Sequence, residues 1–239
     1  MFARHNPRFA SHPRKSRSDG PKQPGPTPPV QHYFARQPGP VRPVREFSPV
    51  LRGRRFHFVT AAGVFSASRL DPGTALLIES LEVKESDTVL DLGCGWGAIG
   101  IVAAALAPQG KAWLVDPNPR AVAIARHNAA LNGLTNVELA EGEGTGPVRG
   151  LFFDVVATNP PIRAGKAVVF DLIEQAAART RAGGRFYIVA RTKQGAKGIA
   201  QKVKQVFGNV TEVRKGGGYR VYSACALRAQ EGKEGKESD

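Results

Sequence analysis

From Thr88 onward the apolar positions follow two alternating periods. Short apolar runs near residues 88–92, 111–115, 136–140, 151–157, 184–190, 209–215 and 219–227 read as strands, and longer stretches near 96–107, 118–131, 166–180 and 193–207 carry a helical period. Strand and helix in turn predict an α/β fold, a parallel, doubly wound sheet with a crevice at the carboxyl ends of its strands. Only Lys215-Gly-Gly-Gly218 separates the last two runs, so these should close as an antiparallel hairpin at the sheet edge. Ahead of this region, Arg54-Arg-Phe-His-Phe-Val-Thr60 alternates like a strand. Gly63 to Leu81 reads as a loop, a lid or only a connector, leading into a helix capped by Asp71 with Pro72 at its first position.

The run Thr88-Val-Leu-Asp-Leu-Gly-Cys-Gly-Trp-Gly-Ala-Ile-Gly100 predicts a buried strand, a tight turn and a helix start. Gly93, Gly95 and Gly97 let the backbone turn sharply and approach a ligand, and the helix points free N–H groups at the same spot. Such corners also occur without any ligand. The next strand adds Asp116 at its carboxyl end, 25 positions after Asp91, where a carboxylate accepts hydrogen bonds from a ribose diol. Taken alone, Asp116 is equally well an ordinary helix cap before Pro117, a role open to Asn118 too.

The fourth run ends in Asn159-Pro160-Pro161. Two prolines fix the backbone and leave carbonyls without a neighbouring donor, and Asn159 adds a side-chain carbonyl, so the segment offers a rigid acceptor pair for an amino group. An amine donating both hydrogens to that pair loses conjugation with its ring and becomes more nucleophilic. A plain loop exit accounts for Asn-Pro as well.

Composition divides the chain into three. Residues 1–50 hold eleven of the eighteen prolines, and the first sixty residues carry twelve Lys or Arg against Asp19 and Glu46, most of the net charge of +14. A basic, Pro/Gly-rich, disordered arm over 1–50 is expected, used on nucleic-acid phosphates, with a transit peptide as the rival reading. Residues 51–228 form the folded domain and 229–239 a disordered charged tail. Cys94 and Cys225 are too few for a disulfide framework or a metal cluster, and a reducing, cytoplasmic setting fits. No apolar run reaches a membrane span. His57 and His127 lack ligand-spaced partners, so no metal is expected.

Asp91-Leu-Gly-Cys-Gly-Trp-Gly97, Asp116, Gly142-Glu143 and Asn159-Pro-Pro161, in this order, resemble a class I S-adenosylmethionine-dependent methyltransferase with an amino-methylating motif. Gly63-Val-Phe-Ser66, Leu70-Asp71, Gly73-Thr74, Leu76-Leu77 and Gly218-Tyr-Arg-Val-Tyr222 are similar to the ribosomal small-subunit methyltransferase C family, whose members methylate guanine N2 in small-subunit ribosomal RNA. The resemblance covers residues 56 to 227 and implies a Rossmann-like methyltransferase sheet. It also implies that Asp91, Gly93, Gly95 and Gly97 hold the methionine part of S-adenosylmethionine, that Asp116 takes the ribose, and that Gly142 and Glu143 lie beside the adenine. Asn159, Pro160 and Pro161 would hold the target amine. Ribosomal RNA or the small subunit is the implied partner, met as a monomer.

The family usually places an aromatic residue after the two prolines to stack on the target base, whereas this chain has Ile162 and then Arg163. Phe65 or Phe58 would supply a replacement face, although each fits a core position better, and Arg163 would stack or meet a phosphate. Two rival readings follow: the same chemistry on adenine N6 or a protein glutamine, and a non-catalytic RNA-binding or assembly factor that keeps a cofactor fold.

Overall fold

Eleven strands and five helices follow one another in the computed structural model, which describes residues 43–61 and 69–227. In chain order they are β1 (Pro43–Phe47), β2 (Val50–Leu51), β3 (Arg54–Arg55), β4 (Phe58–Ala61), α1 (Pro72–Ile78), β5 (Thr88–Leu92), α2 (Ala98–Leu106), β6 (Lys111–Asp116), α3 (Pro119–Leu131) and β7 (Val137–Glu141). They continue with β8 (Phe153–Thr158), α4 (Lys166–Arg179), β9 (Thr180–Arg191), α5 (Ala196–Phe207), β10 (Thr211–Gly216) and β11 (Tyr219–Cys225).

The main sheet has seven strands in the order β10-β11-β9-β8-β5-β6-β7. The five from β9 to β7 run parallel, and β11 and β10 add on antiparallel. Residues Gly217 and Gly218 alone join that hairpin, with φ of 55° and 82°. Both lie in the left-handed region that a two-residue hairpin turn requires. The mostly parallel sheet with its C-terminal hairpin is the Rossmann-like methyltransferase arrangement expected from the sequence.

Strand alternation sends neighbouring residues to opposite faces, and each face has its own helices. Val89, Leu114, Val155, Tyr187 and Val189 join one buried cluster with residues of α1, α2 and α3, among them Leu77, Ile101 and Ile124. Leu90, Val115, Val156, Ile188 and Ala190 join the other with Ile173 of α4 and Ile199, Val203 and Phe207 of α5. The chain leaves β5 for β6 and β7 on one side, then returns to place β8 and β9 on the other. The crevice where ligands bind such sheets therefore opens at the carboxyl ends of β5 and β8.

Strand β1 precedes the domain boundary expected at residue 51. It pairs antiparallel with β4, Phe47 opposite Phe58, and the Phe47 ring meets the Trp96 ring edge-on at 5.4 Å. One apolar anchor draws part of a proline-rich, basic stretch into the fold. The rest of the arm, residues 1–42, and residues 228–239 lie outside the described residues. No described helix is long and apolar enough to cross a membrane.

Candidate active site

Alternation along β5 turns Asp91 toward the same face as Val89, the face covered by α2. Helix α2 starts at a glycine, Gly97, which has no side chain to cap it. Asp91 Oδ2 takes that place, accepting the Gly100 N–H at 2.8 Å from the first turn. Its other oxygen, Oδ1, is buried with no hydrogen-bond partner. Burial raises the Asp91 carboxyl to about 7, the Gly100 hydrogen bond opposing this and the charge of Asp116 adding to it. A positive charge nearby favours the ionised form of such a buried, half-satisfied carboxylate.

The turn after β5 is held on β6. Gly93 and Cys94 both donate their N–H groups to the Val115 carbonyl, at 2.9 and 3.0 Å. Gly95 donates to Asp116 Oδ2 at 2.8 Å and has a φ of 56°. A Cβ at Gly93 or Gly95 would meet no atom within 4 Å, so their outer sides face open space where a ligand can come close. At Gly97 a Cβ would lie 2.9 Å from Ile101 and 3.1 Å from Ala125, so this glycine serves helix packing.

Asp116 is not the cap of α3. Asn118 is, its side chain accepting the Arg120 N–H at 3.0 Å, while Asp116 Oδ1 accepts the Asn118 N–H at 2.9 Å. Each carboxylate oxygen of Asp116 thus keeps capacity for a second donor, such as a diol hydroxyl. Burial lifts its carboxyl above the ordinary range, against the Asn118 and Gly95 hydrogen bonds. Gly142 follows β7 beside it and donates its N–H to the Asp116 carbonyl at 3.1 Å, and Glu143 is exposed at the same edge.

Asn159 leaves β8 one residue beyond Thr158, on the strand next to Asp91. Its Nδ2 donates to Thr74 Oγ1 at 2.8 Å and to Asp71 Oδ2 at 3.3 Å. The side-chain carbonyl is left for an incoming donor. The two prolines were expected to leave carbonyls without neighbouring donors, and here the structure differs. Backbone N–H groups of Ile162 and Ala164 reach the Pro160 and Pro161 carbonyls at 2.9 Å each, because the chain curls at once into a short 3-10 turn, Ile162–Ala164. One lone pair remains on each oxygen. Ile162 is half-buried against the α4 and α5 cluster, and Arg163 is exposed. Phe58 is core, 1% exposed, stacked on Phe56 and edge-on to Trp96, while Phe65 lies outside the described residues.

Sequence reasoning gave no role to Thr74, Tyr219, Arg191 or Asn128. Tyr219 Oη donates to Asp71 Oδ1 at 3.0 Å and accepts from Arg191 Nε at 2.8 Å. Asn128 is fully buried in α3 and ties β4 to the glycine turn, bonding both backbone groups of Val59 and the Trp96 carbonyl. Thr74 and Tyr219 stood in segments already singled out, but nothing in a one-dimensional pattern pairs them with Asn159. Among the described residues no group of three or more His, Cys, Asp or Glu side chains is placed to hold a metal ion.

The methyltransferase small domain family matches residues 55–223. Bacillus subtilis YbxB, an uncharacterized protein, is 37% identical over 196 residues, covering 81% of this chain and 98% of its own. Ribosomal RNA small subunit methyltransferase C of Pseudomonas entomophila is 33% identical, covering 70% of this chain and 50% of its own. Ribosomal RNA large subunit methyltransferase G of Shewanella denitrificans is 34% identical, covering 67% and 43%. A T. thermophilus 16S rRNA N2 G1207 methyltransferase, solved with AdoMet and guanosine, superposes with a TM-score of 0.69 at 27% identity over 79% of this chain and 52% of that one. The chain thus spans about half the length of these ribosomal RNA methyltransferases and nearly all of YbxB.

Proposed function

The chain belongs to the methyltransferase small domain family and is an S-adenosylmethionine-dependent methyltransferase; on that premise we propose that its acceptor is an exocyclic amine of a ribosomal RNA base, guanine N2 of the small subunit. The observation that carries this reading is the orientation of Asn159 at the topological switch point. Its amide nitrogen is engaged by Asp71 and Thr74, which leaves its carbonyl oxygen as the end available to an amine.

The cofactor suits the residues present. Asp91, fully buried and tied to the first turn of α2, holds the glycine turn that borders the methionine part, and the positive charge of that part favours its ionised form through space. Open space beside Gly93 and Gly95 admits the same part of the ligand, Asp116 accepts the ribose hydroxyls, and Glu143 borders the base. When bound, S-adenosylmethionine supplies an electrophilic methyl group on a positively charged sulfur.

On the acceptor side, Asn159 Oδ1 and the free lone pair of the Pro160 carbonyl each accept one N–H of the target amine. The nitrogen then becomes pyramidal, and its lone pair, withdrawn from conjugation with the base, points into the crevice, so orientation does the work of a strong base. Ile162 covers one face of the base with aliphatic surface, and Arg163 reaches the backbone phosphates. The basic arm adds sequence-independent contacts to RNA.

Similarity to a large-subunit enzyme at nearly the same identity keeps large-subunit RNA as the second reading. Both are tested by offering labelled S-adenosylmethionine with small and large ribosomal subunits and with their naked RNAs, followed by nucleoside analysis. Label in N2-methylguanosine of small-subunit RNA is the expected result. Label only in large-subunit RNA selects the second reading, and no label in any RNA rejects both.

A further inference from the structure

An asparagine amide has a donor end and an acceptor end of nearly equal size, and a half turn about its last torsion exchanges them. An amine is held only when the oxygen faces it. What chooses between the two orientations is therefore part of the acceptor site. Thr74 does not choose, because a hydroxyl donates or accepts as required. A carboxylate only accepts, so the amide nitrogen of Asn159 must face Asp71.

Asp71 is itself held at both oxygens. Oδ2 accepts the Thr74 N–H at 3.0 Å besides Asn159, and Oδ1 accepts the hydroxyl proton of Tyr219 at 3.0 Å. Arg191 Nε donates to that hydroxyl oxygen at 2.8 Å, which directs its single proton toward Asp71. The guanidinium carbon also lies 4.9 Å over the Tyr219 ring, and the two residues are register partners of β9 and β11. Gly73 is what lets the ring in: a Cβ there would lie 2.6 Å from the Tyr219 ring carbons. Four segments, the start of α1, the ends of β8 and β9 and the start of β11, are thus joined in one chain of hydrogen bonds that ends on the Asn159 amide.

We propose that Asp71 is a positioning residue that sets which end of the Asn159 amide faces the acceptor, and that Tyr219, aligned by Arg191, sets Asp71 in turn. This rests on the amine-holding role given to Asn159 above. The chain Arg191, Tyr219, Asp71, Asn159 transmits orientation only, and none of the first three touches the reacting atoms.

Asp71→Ser is the informative variant, because serine caps a helix as well as aspartate and α1 keeps its start. Its hydroxyl donates or accepts as required, so the group that fixed the Asn159 amide is lost and the turned orientation is no longer excluded. Turnover is expected to fall about threefold or more while S-adenosylmethionine affinity stays within about twofold. Tyr219→Phe should lower turnover about twofold or more, with the ring still in place. In an Asn159→Ala background, Asp71→Ser should cost nothing further, since the group it orients is gone. Equal losses with and without Asn159, or no loss from Asp71→Ser, would overturn the proposal. Should Asn159→Ala itself retain full transfer, the amine-holding reading fails on its own. The positioning claim is then judged on solvent exchange of the Asn159 side-chain amide hydrogens, followed by NMR in the full chain. Exchange about threefold faster in Asp71→Ser supports it, and unchanged exchange rejects it.

Discussion

The two halves of the crevice are built in different ways. The cofactor half is local: Asp91, the glycine turn and the start of α2 lie within ten residues, and β6 closes them with Asp116 and Val115. The acceptor half is assembled over distance, with Asp71 and Asn159 separated by 88 positions and Asp71 and Tyr219 by 148. In the first half backbone N–H groups do most of the holding, and in the second, side chains do. A site of this kind can keep its cofactor half intact while its acceptor half is changed, and Ile162, where the sequence resemblance predicts an aromatic residue, lies in the second half.

That division makes predictions of decreasing size. Asn159→Ala should lower single-turnover methyl transfer about 100-fold while S-adenosylmethionine affinity, measured by calorimetry, is unchanged. Asp116→Ala should do the reverse, weakening the cofactor about 10- to 30-fold through lost hydrogen bonds to a charged acceptor, with transfer at saturation largely kept.

The pH dependence belongs to the cofactor half alone. The Asp91 carboxyl, raised to about 7 by burial, must ionise to meet a cation. Affinity for S-adenosylmethionine should therefore be full above that pH and fall about tenfold per unit below it. Asp91→Asn should bind weakly at every pH and lose the dependence. The sign for folding is opposite. The folded, cofactor-free chain holds this proton more tightly than the unfolded chain does, so this group's contribution to stability is lost as pH rises toward 7.

The smallest effect concerns the scaffold. Asn128→Ala removes a buried side chain that satisfies Val59 and Trp96, and should cost about 1–3 kcal/mol of stability in denaturant titration. Turnover of the folded fraction should be kept, since Asn128 makes none of the acceptor contacts.

The same contrast explains how much could be read from the sequence. The seven strands, four of the helices and the edge hairpin followed from apolar periodicity, because every strand but the exposed edge strand β10 feeds two helix-covered faces. The glycine turn and Asp116 were legible because their contacts run between adjacent βα units. Asp71 was legible only as a helix cap, which it is, and that role hid its second one. Strand β1 was missed because a few apolar side chains, Phe47 chief among them, outweigh the surrounding prolines and charges. The state of the Pro160 carbonyl was out of reach because it depends on the turn that follows.

The most direct test of a crevice made of two separately built halves is the S-adenosylmethionine affinity of four proteins: the wild type, Asp116→Ala, Asn159→Ala and the double variant. The double variant should bind as weakly as Asp116→Ala alone, within about twofold, and Asn159→Ala should bind like the wild type. A further tenfold loss in the double variant, or a loss in Asn159→Ala by itself, would show that the acceptor residues help to hold the cofactor and would contradict the division.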